Sequence, residues 1–396
     1  MTGTASTGTR GQDRERGAEL LRRVLVASLP TGLGETQASP GSADWPMHRV
    51  EERPLEDAAW QRLFAEADRT RCLGFLQAAI DADALPVTAQ QREQAVDRHA
   101  QWCTSMLRLE RSLLEAAAFL EDRGIDLVVL KGTAHAHLIY PDPSWRSFGD
   151  NDLLLRTKQF DDAVAALAEL GYHRPVPQVR PGFDARFGKG ATLLRPGNEE
   201  LDLHRTLLFG TFGLQIDLDE LFASSVSFKL GGRTLQALGP ETRLLHLCYH
   251  AALGDPEPRP ASVRDLAQQL ALADHEDERV VALVDRWQAH PVVARAFQLV
   301  EHVLGVAVTG AIRRHVEARP PTRRERRAVA SYVGDHRRFA HKVIATLPYV
   351  QGPRAKIALL RAVAVPDREL AAAFDARGPS SWIRRGLGAL TGRRRP

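Results

Sequence analysis

An α/β (α+β) core, set between N-terminal helices and a helical C-terminal region, is the fold class this sequence predicts. Three observations predict it. Ile125–Leu130 and Asn151–Leu155 are short, mainly aliphatic runs with the length and composition of strands buried on both faces. Ala191–Leu194 and Leu201–Leu207 flank Pro196, Gly197 and Asn198, a turn sequence that reads as a hairpin. On either side of this region the apolar residues recur at the 3.6-residue period of helices.

The elements follow in order. MTGTASTGTR at the start and the stretch 32–43 are rich in Gly, Ser and Thr, lack apolar surface to offset ordering entropy, and are expected to be loose. Between them Ala18–Leu29 has helical spacing, and Leu55–Ala67 repeats it with Trp60, Leu63 and Phe64 clustered for burial. Thr88 followed by Gln91 has the form of a capping box that opens a long helix through Trp102, Met106, Leu109, Leu113, Leu114 and Leu120. Arg123 and Gly124 end it, since glycine accepts the left-handed conformation there. Past the first strand come a short helix to Tyr140, the turn PDPSW, the second strand, and a helix Phe160–Leu170 closed by Gly171. Beyond Pro240 the pattern is helical: Glu241–Leu253, Ser262–Ala273, Val280–Trp287, Val292–Val303 and Arg324–Leu347 with breaks. The predicted units are a partly disordered 1–45, a helical lead-in 46–124, a core 125–239, a helical domain 240–350, and a helix with a basic tail at 351–396.

Composition narrows the function classes. In 396 residues, 44% hydrophobic and 26% charged, the bulk of the chain is expected to fold in water. No run reaches the roughly 18 to 20 apolar residues of a membrane span, and Leu20–Leu29 is interrupted by Arg22 and Arg23. Cys72, Cys103 and Cys248 form no CxxC pair, which excludes a disulfide framework or zinc ribbon and fits a reducing cytoplasm. The net charge of +4 is partly carried by the arginines of the last segment, so the body is near neutral.

The residues that point to chemistry lie in the core. Asp150 and Asp152 are two apart at a strand start, so both side chains face one way, with Cα atoms roughly 6.5 to 7 Å apart. Two such carboxylates repel unless a cation lies between them. Asp202, alternating with Leu201 and Leu203, can project from a neighbouring strand about 4.8 Å away. Three carboxylates on paired strands suit a two-metal phosphoryl-transfer site. Lys131, Gly132 and Thr133 end a strand and open a helix, a turn that presents backbone N–H groups, a point charge and a hydroxyl to an anion such as a triphosphate. Arg146 suits either a phosphate or Asp142, and His204 suits orienting a carboxylate or an acceptor, or a structural hydrogen bond.

The series LVVLKGTAHAHLIYPDPSWRSFGDNDLLL, then ELGY, then LDLH, resembles an uncharacterised nucleotidyltransferase family of the DNA polymerase β nucleotidyltransferase superfamily. HLCYHAA and VRDLA extend the resemblance more weakly. It implies a small mixed sheet, magnesium as cofactor, and transfer of a nucleoside monophosphate from a nucleoside triphosphate, ATP being the leading candidate, with release of pyrophosphate. By motif position it implies that Asp150 and Asp152 bind metal, that Asp202 is the third carboxylate, and that Lys131 and Gly132 form the phosphate loop. Asn151 stands where the family more often has an aliphatic residue, which predicts a more exposed strand start.

Two rivals remain at this level. A kinase-like phosphotransferase, suggested by VVLK and DLH, needs an Asn five residues after its catalytic Asp, but Leu207 stands there. A non-catalytic nucleotide- or partner-binding module on the same fold is opposed by the retention of all three carboxylates. His246 and His250 share a helix face near Cys248 and suggest zinc, with a third ligand to come from Asp265 or elsewhere, but the spacing favours a structural role. The near-neutral body favours a small molecule or protein side chain over nucleic acid as acceptor.

Overall fold

The computed structural model describes residues 5–30, 33, 45–197, 199–255, 257–333 and 339–364. Most of the stretch 32–43 and the basic tail from Trp382 to Arg395 lie outside them. Four helices lead in: α1 (Ala5–Ala27), α2 (Asp57–Arg69), α3 (Leu73–Asp81) and α4 (Ala89–Glu121). The core runs β1 (Leu127–Leu130), α5 (Lys131–Leu138), β2 (Asn151–Leu155), α6 (Phe160–Glu169), α7 (Phe183–Arg186), β3 (Gly190–Arg195), β4 (Glu199–His204), α8 (Leu218–Ala223), β5 (Val226–Leu230) and β6 (Arg233–Ala237). Eight further helices are described: α9 (Pro240–Leu253), α10 (Pro260–Leu272), α11 (Asp277–Arg286), α12 (His290–Leu304), α13 (Ala311–Ala318), α14 (Arg323–Ala330), α15 (Phe339–Thr346) and α16 (Pro353–Ala364).

The six strands form one mixed sheet in the order β3-β4-β2-β1-β6-β5. β2 is antiparallel to β1 and parallel to β4, and β3–β4 is the expected hairpin. Alternation along each strand splits the interior into two cores. Leu127, Val129, Leu153, Leu155, Leu201 and Leu203 pack on one side against Leu113, Ala117 and Leu120 of α4 and Phe160 and Leu167 of α6. Val128, Leu130 and Leu154 face the other way, into a core that joins the lead-in helices to α9, α10 and α12. Asp152 and His204 alternate with the first set, so they face the helical layer built from both ends of the chain.

Local signals held where their geometry is self-contained. The capping box at Thr88 and Gln91 makes both of its hydrogen bonds, and Gly124 and Gly171 take positive φ values of 69° and 85°. Other expectations are corrected. α1 begins at Ala5, inside the segment expected to be loose, because a nucleated helix extends by one hydrogen bond for each residue fixed. β4 stops at His204 rather than Leu207: the N–H groups of Arg205 and Thr206 both turn to the carbonyl of Lys189, which ends the ladder. The strand start at Asn151 is buried rather than exposed, with Asn151 only 1% accessible. Its side chain accepts a hydrogen bond from Thr133 Oγ1 at 3.0 Å and donates to the carbonyl of Leu109 at 2.8 Å, pinning β2 to α5 and α4. The β5–β6 hairpin was not anticipated, although Gly231 and Gly232 between alternating apolar residues mark it.

Candidate active site

β1 delivers the chain to Lys131, whose φ of 43° is left-handed for a residue with a side chain and carries roughly 1–2 kcal/mol of strain. The turn is forced tight by Gly132, where a Cβ would come within 2.6 Å of Phe148. The ammonium of Lys131 donates to Asp152 Oδ1. Asp152 Oδ1 also meets His204 Nε2 at 2.6 Å. Burial alone would raise the Asp152 carboxyl, but the Lys131 charge and the His204 hydrogen bond outweigh it and hold it well below the usual carboxylate range. Burial likewise opposes the Lys131 ammonium, but Asp152, with Asp150 and Asp202 nearby, keeps its pKa above the ordinary lysine value. His204, lowered by burial and by the positive charge of Lys189, is neutral at physiological pH.

The parallel pairing of β2 with β4 sets Asp152 opposite Asp202 in register. Asp202 accepts from Thr192 Oγ1 of β3 at 2.5 Å. Asp150 lies one residue before β2, beside Arg71: a Cβ on Gly149 would meet the Arg71 guanidinium at 2.8 Å. Two groups of ligand atoms result, each within 4.8 Å of one another, and Asp202 belongs to both: Asp152, Asp202 and His204 in one, Asp150, Glu200 and Asp202 in the other. The second offers oxygen only, the donor set of a hard divalent cation. Lys131 and Arg71 offset its negative charge only in part. Burial and then Asp152 push the Asp150 carboxyl up, while burial and then Asp202 and Asp150 push up Glu200. A magnesium ion suits this group.

Part of this constellation borders a cleft of about 920 Å³ between α1, the end of α2, the β1–α5 turn and the start of α10. Lys131, Gly132, Asp150 and Asp152 line it, with Arg71 and His250. Thr133 is buried and spends its hydroxyl on Asn151. Arg146, predicted to meet a phosphate or Asp142, donates through Nε to both carboxylate oxygens of Asp265 at 2.7 and 2.8 Å. Asp142 instead accepts from the N–H of Ser144. Tyr140 also donates to Asp265, and His246, Cys248 and His250 join none of the three-ligand groups among the described residues.

Three site residues escaped the sequence reading. Glu200 carried a usable signal, since it stands two before Asp202 as Asp150 stands two before Asp152. Lys189 gave none: burial and the charge of Lys131 lower its pKa to about 8, an effect of residues remote in the chain. Arg71 is likewise brought in only by the packing of α2.

A family model described as an uncharacterised nucleotidyltransferase matches residues 56–305. The chain belongs to that family. Every carboxylate of the two ligand groups falls within the match, as do Lys131, Lys189 and His204, while α13 to α16 lie beyond it. No curated protein matches the chain. Solved structures similar to this chain include the antibiotic-resistance factor ANT(2'')-Ia in solution, at 16% identity and a TM-score of 0.34, covering 47% of this chain and 94% of that one. The lincosamide antibiotic adenylyltransferase LnuA with lincomycin bound matches at 12% identity and a TM-score of 0.29, over 41% and 96% of the two chains. An antigenic nucleotidyltransferase-like protein from Paracoccidioides brasiliensis matches at 19% identity and a TM-score of 0.30, over 51% and 94%.

Proposed function

We propose that this family member is a magnesium-dependent enzyme that transfers a nucleoside monophosphate from a nucleoside triphosphate, ATP first among them, to a hydroxyl of a small molecule or protein side chain. The observation that carries the reading is the pair of ligand groups joined at Asp202. Asp150, Asp152 and Asp202 would hold the metal, with Glu200 completing the all-oxygen group. Bound there, magnesium supplies charge neutralisation on the triphosphate and acidifies the acceptor hydroxyl. The chain's own residues do the rest. His204 fixes the orientation of the Asp152 carboxylate, and Lys131, Arg71 and Lys189 provide positive charge for the phosphates. Gly132 lets the backbone of the loop come close. Transfer joins the acceptor oxygen to the α-phosphorus as the bond to pyrophosphate breaks.

The walls of the cleft favour a compact acceptor. Arg69 is paired with Glu66, Arg259 with Asp255 and Arg14 with Glu257, so these walls carry no surplus of positive charge to hold a long polyanion. The volume is in the range of small-molecule sites. Three free cysteines and the described helices, none long and apolar enough to cross a membrane, accord with a cytoplasmic setting.

One observation favours a second reading, a nucleotide-binding module without turnover: the Lys131 ammonium already neutralises Asp152, where a cation would otherwise be needed. The deciding experiment incubates the purified protein with each nucleoside triphosphate and Mg²⁺ in the presence of cell extract. Pyrophosphate release, with a nucleotide adduct seen by mass spectrometry on the protein or a metabolite, is expected. Triphosphate binding by calorimetry with no pyrophosphate from any combination would leave the binding module standing.

A further inference from the structure

Away from the cleft, the end of α11, the start of α12 and the middle of α13 bring three ligand-bearing side chains to one point. His290 Nε2 lies 2.9 Å and His315 Nε2 2.8 Å from the same oxygen, Asp285 Oδ1, with the two imidazole centroids 5.2 Å apart. One ligand atom from each residue falls within 4.8 Å of the other two. A cavity of about 420 Å³ opens over them, walled otherwise by Gln288, Ala318 and Arg319. The turn that swings His290 back toward Asp285 passes through Gln288 at a φ of 51°, a left-handed conformation held by the surrounding packing.

We propose that Asp285, His290 and His315 bind a zinc ion or a related first-row divalent cation, at a second metal site separate from the carboxylates of the cleft. Two imidazoles and one carboxylate form a borderline donor set, whereas magnesium selects oxygen alone. Two imidazole Nε2 atoms converging on one carboxylate oxygen is a pattern that a cation can replace: each neutral ring takes the Nδ1–H tautomer by exchange with solvent, or an imidazolium releases its Nε2 proton to solvent, and both Nε2 lone pairs face the ion. Zinc–ligand bonds of roughly 2.0 to 2.2 Å at tetrahedral angles put donors about 3.3 Å apart, so the triad must open by about half an ångström. The Asp285 side chain, 54% exposed, has room to move that far. Three protein ligands leave a fourth position on the cavity side for water or a small ligand. The charge of Arg319 is met by Glu325 at 2.7 Å, so the neighbourhood is not strongly repulsive to a cation. His290 Nδ1 is buried without a partner. Its ring therefore lacks the outer hydrogen bond that strengthens most zinc histidines, and micromolar rather than nanomolar affinity is expected. Asp285 and His290 lie within the family match and His315 beyond it, so the match does not contain the whole triad.

The test uses metal-stripped full-length protein titrated with Zn²⁺ against a chromophoric chelator, for the wild type, Asp202→Ala and His315→Ala. One zinc per chain should bind the wild type and Asp202→Ala alike, and His315→Ala should weaken it by about thirtyfold. His315 is partly exposed, so this variant should fold, and its metal-free thermal midpoint checks that; Asp285→Asn, at an exposed position, serves the same test should it fail. Equal zinc binding by wild type and His315→Ala, or zinc binding that disappears only in Asp202→Ala, overturns the proposal.

Discussion

Asp202 is shared by both ligand groups, and its removal should separate binding from chemistry. On the proposed reading triphosphate affinity would depend mainly on the positive charges around Lys131, so Asp202→Ala should keep it within about tenfold, roughly 1.4 kcal/mol, while nucleotidyl transfer falls by orders of magnitude. Titration with a fluorescent triphosphate analogue and a pyrophosphate assay on one preparation read both quantities. Full activity in Asp202→Ala would place the third acid elsewhere. Asn151 makes the opposite case, a polar residue beside the chemistry whose work is structural. Replacing it by Leu leaves the buried Thr133 hydroxyl without its partner and removes the side-chain hydrogen bond to the Leu109 carbonyl, at a cost of about 1–3 kcal/mol. Urea unfolding of Asn151→Leu measures this, and an unchanged midpoint would show that these groups find other partners.

At the scale of elements, the β3–β4 hairpin is what carries Asp202 and Glu200 to the edge of β2. Its closest approach is at Gly190, where a Cβ would stand 1.7 Å from the carbonyl oxygen of Leu203. No side-chain rearrangement relieves contact with backbone. Gly190→Ala should therefore destabilise by about 3 kcal/mol or more and disturb the pairing of Asp202 with Asp152. A variant with wild-type stability in thermal unfolding and wild-type pyrophosphate release would contradict that account. The hairpin itself was legible because its turn residues and alternation are local. The partner of the hairpin was not: parallel pairing of β4 with β2 is set by the crossover through α6 and by the two-faced core, and no short window of sequence encodes it.

For the molecule as a whole, the buried Arg146–Asp265 pair ties the segment before β2 to α10. Burial opposes the Asp265 charge, but Arg146 outweighs it and depresses the carboxyl well below the usual range. A depressed folded pKa contributes stability that is complete above the unfolded value of about 3.9 and is lost as pH falls through the folded value. Asp265→Asn should cost about 3–5 kcal/mol at pH 7 by leaving Arg146 buried without its counter-charge. The gap between variant and wild type should narrow as the pH drops below about 4. Urea unfolding across pH tests the sign, and a gap that widens toward acid would refute it.

The sequence by itself determined the class of the fold, the hairpin and most helix positions, because period, capping and turn chemistry act within a few residues. It also carried the family, through motifs whose order survives in LKG, DNDLL and LDLH. Only the tertiary structure decided which charges meet. Lys131 neutralises Asp152, Arg146 pairs with Asp265 rather than Asp142, and Glu200, Lys189 and Arg71 join the site. Such pairings depend on distances of a few ångströms between segments far apart in the chain, and burial then multiplies the weight of each charge.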